Sequence, residues 1–145
     1  MRLRSSRPDD VGRLFEIWRE AVEATHGFLS AEDRVFFSTL VRDRYLPATA
    51  FTVAVDEEDR PIAFLGMSGA KIDALFVAPD QHGRGIGRRM IEHAQLEHSK
   101  LSVDVNEQNG GALAFYERMG FSRAGRSELD DSGRPYPILH LERAE

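Results

Sequence analysis

Three alternating glycines, Gly83, Gly85 and Gly87, stand in the stretch Leu75 to Arg89, which reads LFVAPDQHGRGIGRR, with Arg84, Arg88 and Arg89 among and just after them. Glycine admits positive φ and lets backbone N–H groups approach a ligand, and a helix start carries partial positive charge. A strand, a glycine loop and a helix start in that order make a holder for an anion. The arginines suit a phosphorylated or pyrophosphorylated one. A Rossmann fingerprint requires G-x-G-x-x-G, and here Arg88 stands where the third glycine belongs. A P-loop requires Gly-Lys-Ser or Gly-Lys-Thr, and neither occurs.

Other reactive side chains form weaker patterns. Among the five histidines, His26, His82, His93, His98 and His140, only His93 and His98 are near neighbours. Their five-residue step does not set them on one helical face, so no metal site is expected and the histidines are read as solvated. No G-x-S-x-G elbow is present to present a serine nucleophile. There is no cysteine, which excludes disulfides, thiolate metal ligands and an acyl-cysteine intermediate.

The elements that position these groups follow from periodicity. Leu3 lies in a short strand, Pro8-Asp9-Asp10 suits a helix start, and Val11, Leu14, Trp18, Ala21 and Val22 recur at helical spacing up to about Thr25-His26-Gly27. Ser30 with Asp33 caps a second helix, whose apolar positions are Phe36, Phe37, Leu40, Val41 and Tyr45 and which stops before Pro47. From Phe51 the period becomes two. Strands 51–55, 61–68 and 71–77 are joined by short turns as an antiparallel meander, and the glycine loop leaves the last of them. The helix after the loop turns Gly87, Met90, Ile91 and Ala94 to one side. A strand covers 101–105, Asn109 is the N-cap of a helix carrying Ala112, Phe115, Tyr116 and Met119, Gly120 ends it, and 122–129 with 136–141 form a final hairpin.

At 145 residues with 41% hydrophobic composition the chain is expected to form a single domain over 1–145 with one core. Its net charge of −5 argues against nucleic acid as a partner. No apolar run suggests a signal peptide or a membrane span, so a cytoplasmic protein without membrane association is expected, either monomer or homodimer.

Two signatures then carry a family resemblance. LFVAP followed by QHGRGIGRRM resembles the acyl-CoA loop of the GNAT N-acetyltransferases, and NGGALAFYERMGF is similar to their second signature, an Asn, an Ala three residues on and a Tyr seven on. The element order over the whole chain is also similar to theirs. The segments ATHGFLS, DALFVAPD, VNEQN and GRSELDDSGRPYPILHL resemble a YjaB-like bacterial branch of that family.

The resemblance implies an α/β (α+β type) GNAT fold, a mixed central sheet of about seven strands with about four helices. It implies direct acetyl transfer from acetyl-CoA to a primary amine of a small molecule or protein, in a ternary complex with no covalent enzyme intermediate and with CoA as product. The backbone N–H groups of Gly83, Arg84, Gly85, Ile86, Gly87 and Arg88, followed by Arg89, then hold the CoA pyrophosphate. His82 stands where the family usually has Gln or Arg, which leaves the backbone cradle intact. The backbone of Leu75, Phe76 and Val77 pairs with pantetheine, and Asn109 binds the pantetheine arm, a role compatible with capping. Tyr116 matches the tyrosine that protonates the leaving thiolate; the bland alternative is membership of the apolar helix stripe.

On the acceptor side an ammonium must lose a proton. Asp73, two residues before Leu75 on the same strand face, is the first candidate base, a buried acid beside a cleft having its pKa raised. A surface aspartate is the alternative. His26 is second, in the loop with Phe28, and Glu107 and Tyr136 follow as acceptor-binding candidates. Two other classes of function stay open at this point, an acyl-CoA sensor without catalysis on the same fold and a nucleotide-binding module of another fold.

Overall fold

The computed structural model describes residues 1–25 and 27–144. The strands β1 (Arg2–Ser5), β2 (Thr52–Val55), β3 (Pro61–Ser68), β4 (Lys71–Val77), β5 (Lys100–Asn106), β6 (Ser122–Ser127) and β7 (Ile138–Ala144) form a seven-stranded sheet in the order β1-β2-β3-β4-β5-β7-β6. The helices are α1 (Val11–Thr25), α2 (Ala31–Leu40), the short turn α3 (Leu46–Ala48), α4 (Ile86–Gln95) and α5 (Gly110–Arg118). The β4–β5 pair is parallel and the β1–β2, β2–β3, β5–β7 and β6–β7 pairs are antiparallel, so the sheet is mixed as expected. The chain divides into two compact units, one of residues 1–66 with 74–87 and one of residues 67–73 with 88–145.

In the first unit α1 turns Leu14, Ile17, Trp18 and Val22 onto Phe51, Val53, Val55 and Phe64 of the strand region. The rings of Tyr45, Phe51, Phe64 and Phe76 follow one another at 5.4, 5.2 and 5.5 Å, so Phe76 of β4 points into this core. Ser30 caps α2 by accepting a hydrogen bond from the Asp33 N–H at 3.1 Å, as its spacing requires.

Two expectations for α2 fail. The helical path does not stop before Pro47: it widens into a π turn over Val41–Tyr45, with the Leu46 N–H bonded to the Val41 carbonyl, and continues to Ala48. That five-residue bond shifts the hydrogen-bond ladder just where Pro47 has no N–H to contribute. Nor is the apolar side of α2 all buried. Phe37, Val41 and Tyr45 pack against the core, whereas Val35, Phe36 and Leu40 are 67%, 38% and 44% exposed.

A buried ion pair fastens the N-terminal strand. The Arg4 guanidinium meets Asp10 through two hydrogen bonds of 2.8 and 3.1 Å, with side chains 10% and 9% exposed. Asp10 also accepts the Arg7 N–H at 2.7 Å, closing the turn before α1. The Arg4 hydrogen bond holds the Asp10 carboxyl below the usual carboxylate range, outweighing burial. Because the folded value is depressed, the stabilisation is present above the unfolded carboxylate value and is lost as pH falls through the folded one. Asp10→Ala removes two of the Arg4 hydrogen bonds and the acceptor of the Arg7 N–H while leaving Arg4 paired with Asp59 at 2.9 Å, and should lower stability by about 1–3 kcal/mol. Urea unfolding at neutral pH measures it, and an unchanged midpoint would refute the assignment.

The second unit is built on β5, β7 and β6 with α5. Leu101, Val103 and Val105 are buried, as are Leu139 and Leu141, while Ser102, Asp104, His140 and Glu142 alternate with them and are only partly covered. β7 pairs along its whole length with β5, Lys100 opposite Ala144 through Asn106 opposite Ile138. The final hairpin is present, with β7 running to Ala144, beyond the expected end.

Candidate active site

β4 ends at Val77, a 3-10 turn covers Pro79–Gln81, and the glycine loop follows. Gly83 and Gly85 have φ of 80° and 74°, values that L side chains adopt at a cost, and no atom lies within 4 Å of where a Cβ would stand on either. The loop is thus a bare, exposed backbone leading straight into α4, whose first turns leave N–H groups without partners in the helix. Arg84, Arg88 and Arg89 are exposed, whereas Ile86 and Met90 are buried and anchor the helix start. This arrangement fits a pyrophosphate: unencumbered N–H groups, a helix start and cationic side chains. The His82 ring is turned to Val77, its Nε2 3.1 Å from the Val77 carbonyl oxygen, so His82 closes the loop onto the strand end. That contact engages one of the carbonyls expected to be open along Leu75, Phe76 and Val77.

In the second unit Asn109 is buried and caps α5, its Oδ1 accepting the Ala112 N–H at 3.1 Å. Two hydrogen bonds terminate the helix, from Gly120 N–H to the Glu117 carbonyl and from Phe121 N–H to the Tyr116 carbonyl, both 3.0 Å. With Gly120 at φ 91° this is a Schellman ending. Its hydrophobic contact is Tyr116 against Phe121, ring centroids 5.2 Å apart, with Phe115 at 5.1 Å on the other side. Tyr116 is therefore a stripe residue, buried and fixed by the helix ending. Burial pushes its phenol well above the usual range, so it stays protonated, the state an acid must start from.

The acceptor-side candidates meet different fates. Asp73 is exposed, not buried as expected, because its strand neighbours Ile72 and Ala74 take the inward positions, and it accepts a hydrogen bond from the Ser68 hydroxyl. Glu107 is clamped by Arg126 at 2.6 and 3.1 Å, which holds its carboxyl below the usual range, a poor setting for a base. Tyr136 is buried and Phe28 half-buried. His26 lies outside the described residues.

One constellation escaped sequence reasoning. The Ser127 hydroxyl lies 2.7 Å from His140 Nε2, His140 Nδ1 lies 2.7 Å from Asp104 Oδ1, and Lys71 Nζ lies 2.9 Å from Asp104 Oδ2. His140 is thus bonded at both ring nitrogens rather than simply solvated. Burial pushes the Asp104 carboxyl up, but the hydrogen bonds from Lys71 and His140 outweigh it and hold it below the usual range. The Asp104 hydrogen bond raises Lys71 in turn, with Asp131 and Asp73 adding to it. The available signal was the outward alternation of Asp104 and His140 on their strands. It became a contact only through the register that sets them opposite each other.

A strand, a glycine anion loop and a helix start on a mixed seven-stranded sheet define an α/β protein for a pyrophosphate-bearing ligand. Residues 47–123 match the family described as an acetyltransferase (GNAT) domain. The chain is 48% identical over 139 residues, 96% of its own length and 94% of the relative's, to peptidyl-lysine N-acetyltransferase YjaB of Escherichia coli K12. The solution structure of apo-form YjaB from Escherichia coli matches with a TM-score of 0.92 at 47% identity, covering 97% of this chain and 95% of that one. The PaiA N-acetyltransferase of Thermoplasma acidophilum, solved in complex with coenzyme A, shares the fold over 100% of both chains, with a TM-score of 0.73 at 18% identity. This chain belongs to the GNAT acetyltransferase family. It is an N-acetyltransferase that takes acetyl from acetyl-CoA and delivers it to an amine.

Proposed function

We propose that the acceptor is the side-chain amine of lysine in a peptide or protein, acetylated directly in a ternary complex. The reading is supported by the likeness to an enzyme whose name specifies peptidyl-lysine, which this chain matches over nearly its full length. The backbone N–H groups of Gly83 to Arg88 hold the CoA pyrophosphate; the left-handed, side-chain-free Gly83 and Gly85 are the observation that carries this assignment. The backbone of Leu75 to Val77 and the side chain of Asn109 take the pantetheine arm. Bound acetyl-CoA supplies a thioester carbonyl open to a neutral amine. Tyr116 donates its proton to the departing sulfur, and the remaining catalysis comes from positioning.

The test is thiol release from acetyl-CoA with a lysine peptide, its Nα-acetylated form, a polyamine and an aminoglycoside compared side by side. Faster turnover with both peptides, and a gain of one acetyl group on the lysine side chain by mass spectrometry, is expected. Preference for the free N-terminus or for a small amine would overturn the lysine assignment.

A further inference from the structure

Resting on the lysine acceptor proposed above, we infer that Lys100 is the position at which one copy of this chain is acetylated by another. The chain carries its positive charge on arginine: only two of its 19 Lys and Arg residues are lysines, Lys71 and Lys100. A guanidinium stays charged at physiological pH and offers no free amine to a thioester. Self-modification of a lysine side chain therefore has two addresses, and they differ in what holds them. Lys71 Nζ lies 2.9 Å from Asp104 Oδ2, the two side chains 41% and 25% exposed. The other Asp104 oxygen is fixed by His140, which in turn meets Ser127. Lys71 is thus tied into a row of hydrogen bonds, and the one from Asp104 favours its ammonium form, which cannot attack. Lys100 Nζ meets Glu142 at 2.9 Å, with side chains 59% and 41% exposed. An exposed pair of this kind opens readily in water and leaves Nζ to lose its proton.

The neutral Lys100 Nζ attacks the thioester carbonyl carbon of acetyl-CoA held by a second copy. The C–N bond forms as the C–S bond breaks, and one amine hydrogen ends on the CoA sulfur, giving an acetylated lysine and free CoA. The charge that faced Glu142 is then gone. The transfer runs between copies because of where Lys100 stands. It opens β5, whereas Asn109, the proposed pantetheine contact, is bonded through its N–H to the Asn106 carbonyl at the other end of that strand. A strand of this length spans about 20 Å, further than a lysine side chain reaches. For the same reason the mark lies away from Asn109 and should leave turnover of other acceptors unchanged.

The experiment gives wild-type enzyme and acetyl-CoA a Gly85→Glu chain as acceptor, folded by circular dichroism, with a lysine peptide as a parallel acceptor and peptide mass spectrometry to place the acetyl groups. Gly85→Glu with acetyl-CoA alone supplies the uncatalysed background. Acetyl should accumulate on Lys100 of the Gly85→Glu chain, about tenfold or more above Lys71, at an initial rate proportional to the wild-type concentration. Lys100→Arg, which keeps a cation opposite Glu142, should remove the mark and leave peptide turnover unchanged. Asp104→Asn, folded, should raise acetylation of Lys71 severalfold by releasing it. Peptide acetylated while Lys100 stays at background overturns the inference, as does equal marking of Lys71 and Lys100. So does wild type alone whose marked fraction grows at a rate independent of its concentration, which would mean transfer within one chain. Wild type that binds acetyl-CoA but acetylates neither Lys100 nor the peptide overturns the lysine reading itself.

Discussion

Gly85→Glu should abolish measurable acetyl-CoA binding while leaving the protein folded. Gly85 sits at φ 74°, where an L residue costs roughly 1–2 kcal/mol. That is tolerable against a stability of about 5–15 kcal/mol. The Cβ itself meets nothing within 4 Å, so the new side chain grows into open space, the space assigned to the pyrophosphate. A carboxylate facing a phosphate costs several kcal/mol, and about 3 kcal/mol is already a hundredfold in affinity. Calorimetry should show at least that loss, with Gly85→Ala, which carries the backbone strain without bulk or charge, retaining most of the affinity. Wild-type affinity in folded Gly85→Glu would place the cofactor elsewhere.

The second large effect concerns the acid. Tyr116→Phe should lower kcat by about 10²–10⁴-fold with acetyl-CoA affinity unchanged. The substitution keeps the ring, so the contacts with Phe115 and Phe121 and the Schellman ending are preserved and stability should hold. What disappears is one proton donor. Because burial raises the phenol, the wild-type donor remains protonated through neutral and mildly alkaline pH, and the loss should be uniform over that range. An unchanged kcat would leave Tyr116 as a packing residue alone. A fall in cofactor affinity of the same size would make it a binding group.

For Tyr116 the packing role is what the structure shows, and the proposed acid role is compatible with it. It is the buried member of the α5 stripe, whose Ala112, Phe115 and Met119 are half-buried, and its packing on Phe115 and Phe121 fixes its ring. The stripe, the Asn109 cap and the Gly120 ending are all encoded within about a dozen consecutive residues, and each formed as its spacing required. The same holds for Gly83 and Gly85. Where local coding was misread, as at Pro47, the missing N–H was accommodated by a wider turn that no residue type announces.

The apolar pattern of α2 marks a limit of another kind. Phe36 and Leu40 read as apolar-face positions and are exposed, because a helix of nearly three turns offers only part of its circumference to the core and Phe37, Val41 and Tyr45 occupy it. Asp73 erred in the same way, a residue given a buried environment that its strand neighbours hold instead.

By itself the sequence determined the order of elements, the left-handed glycine loop and the helix capped by Asn109 and ended by Gly120, since glycine stereochemistry, side-chain caps and hydrophobic period act over a few neighbouring residues. The tertiary structure alone decided that β7 of the final hairpin enters between β5 and β6, setting His140 beside Asp104, 36 residues away in the chain, in a row with Ser127. Strand pairing is non-local. The choice of partner and register belongs to the burial of whole strand faces, and the polar residues on the opposite faces meet as a consequence.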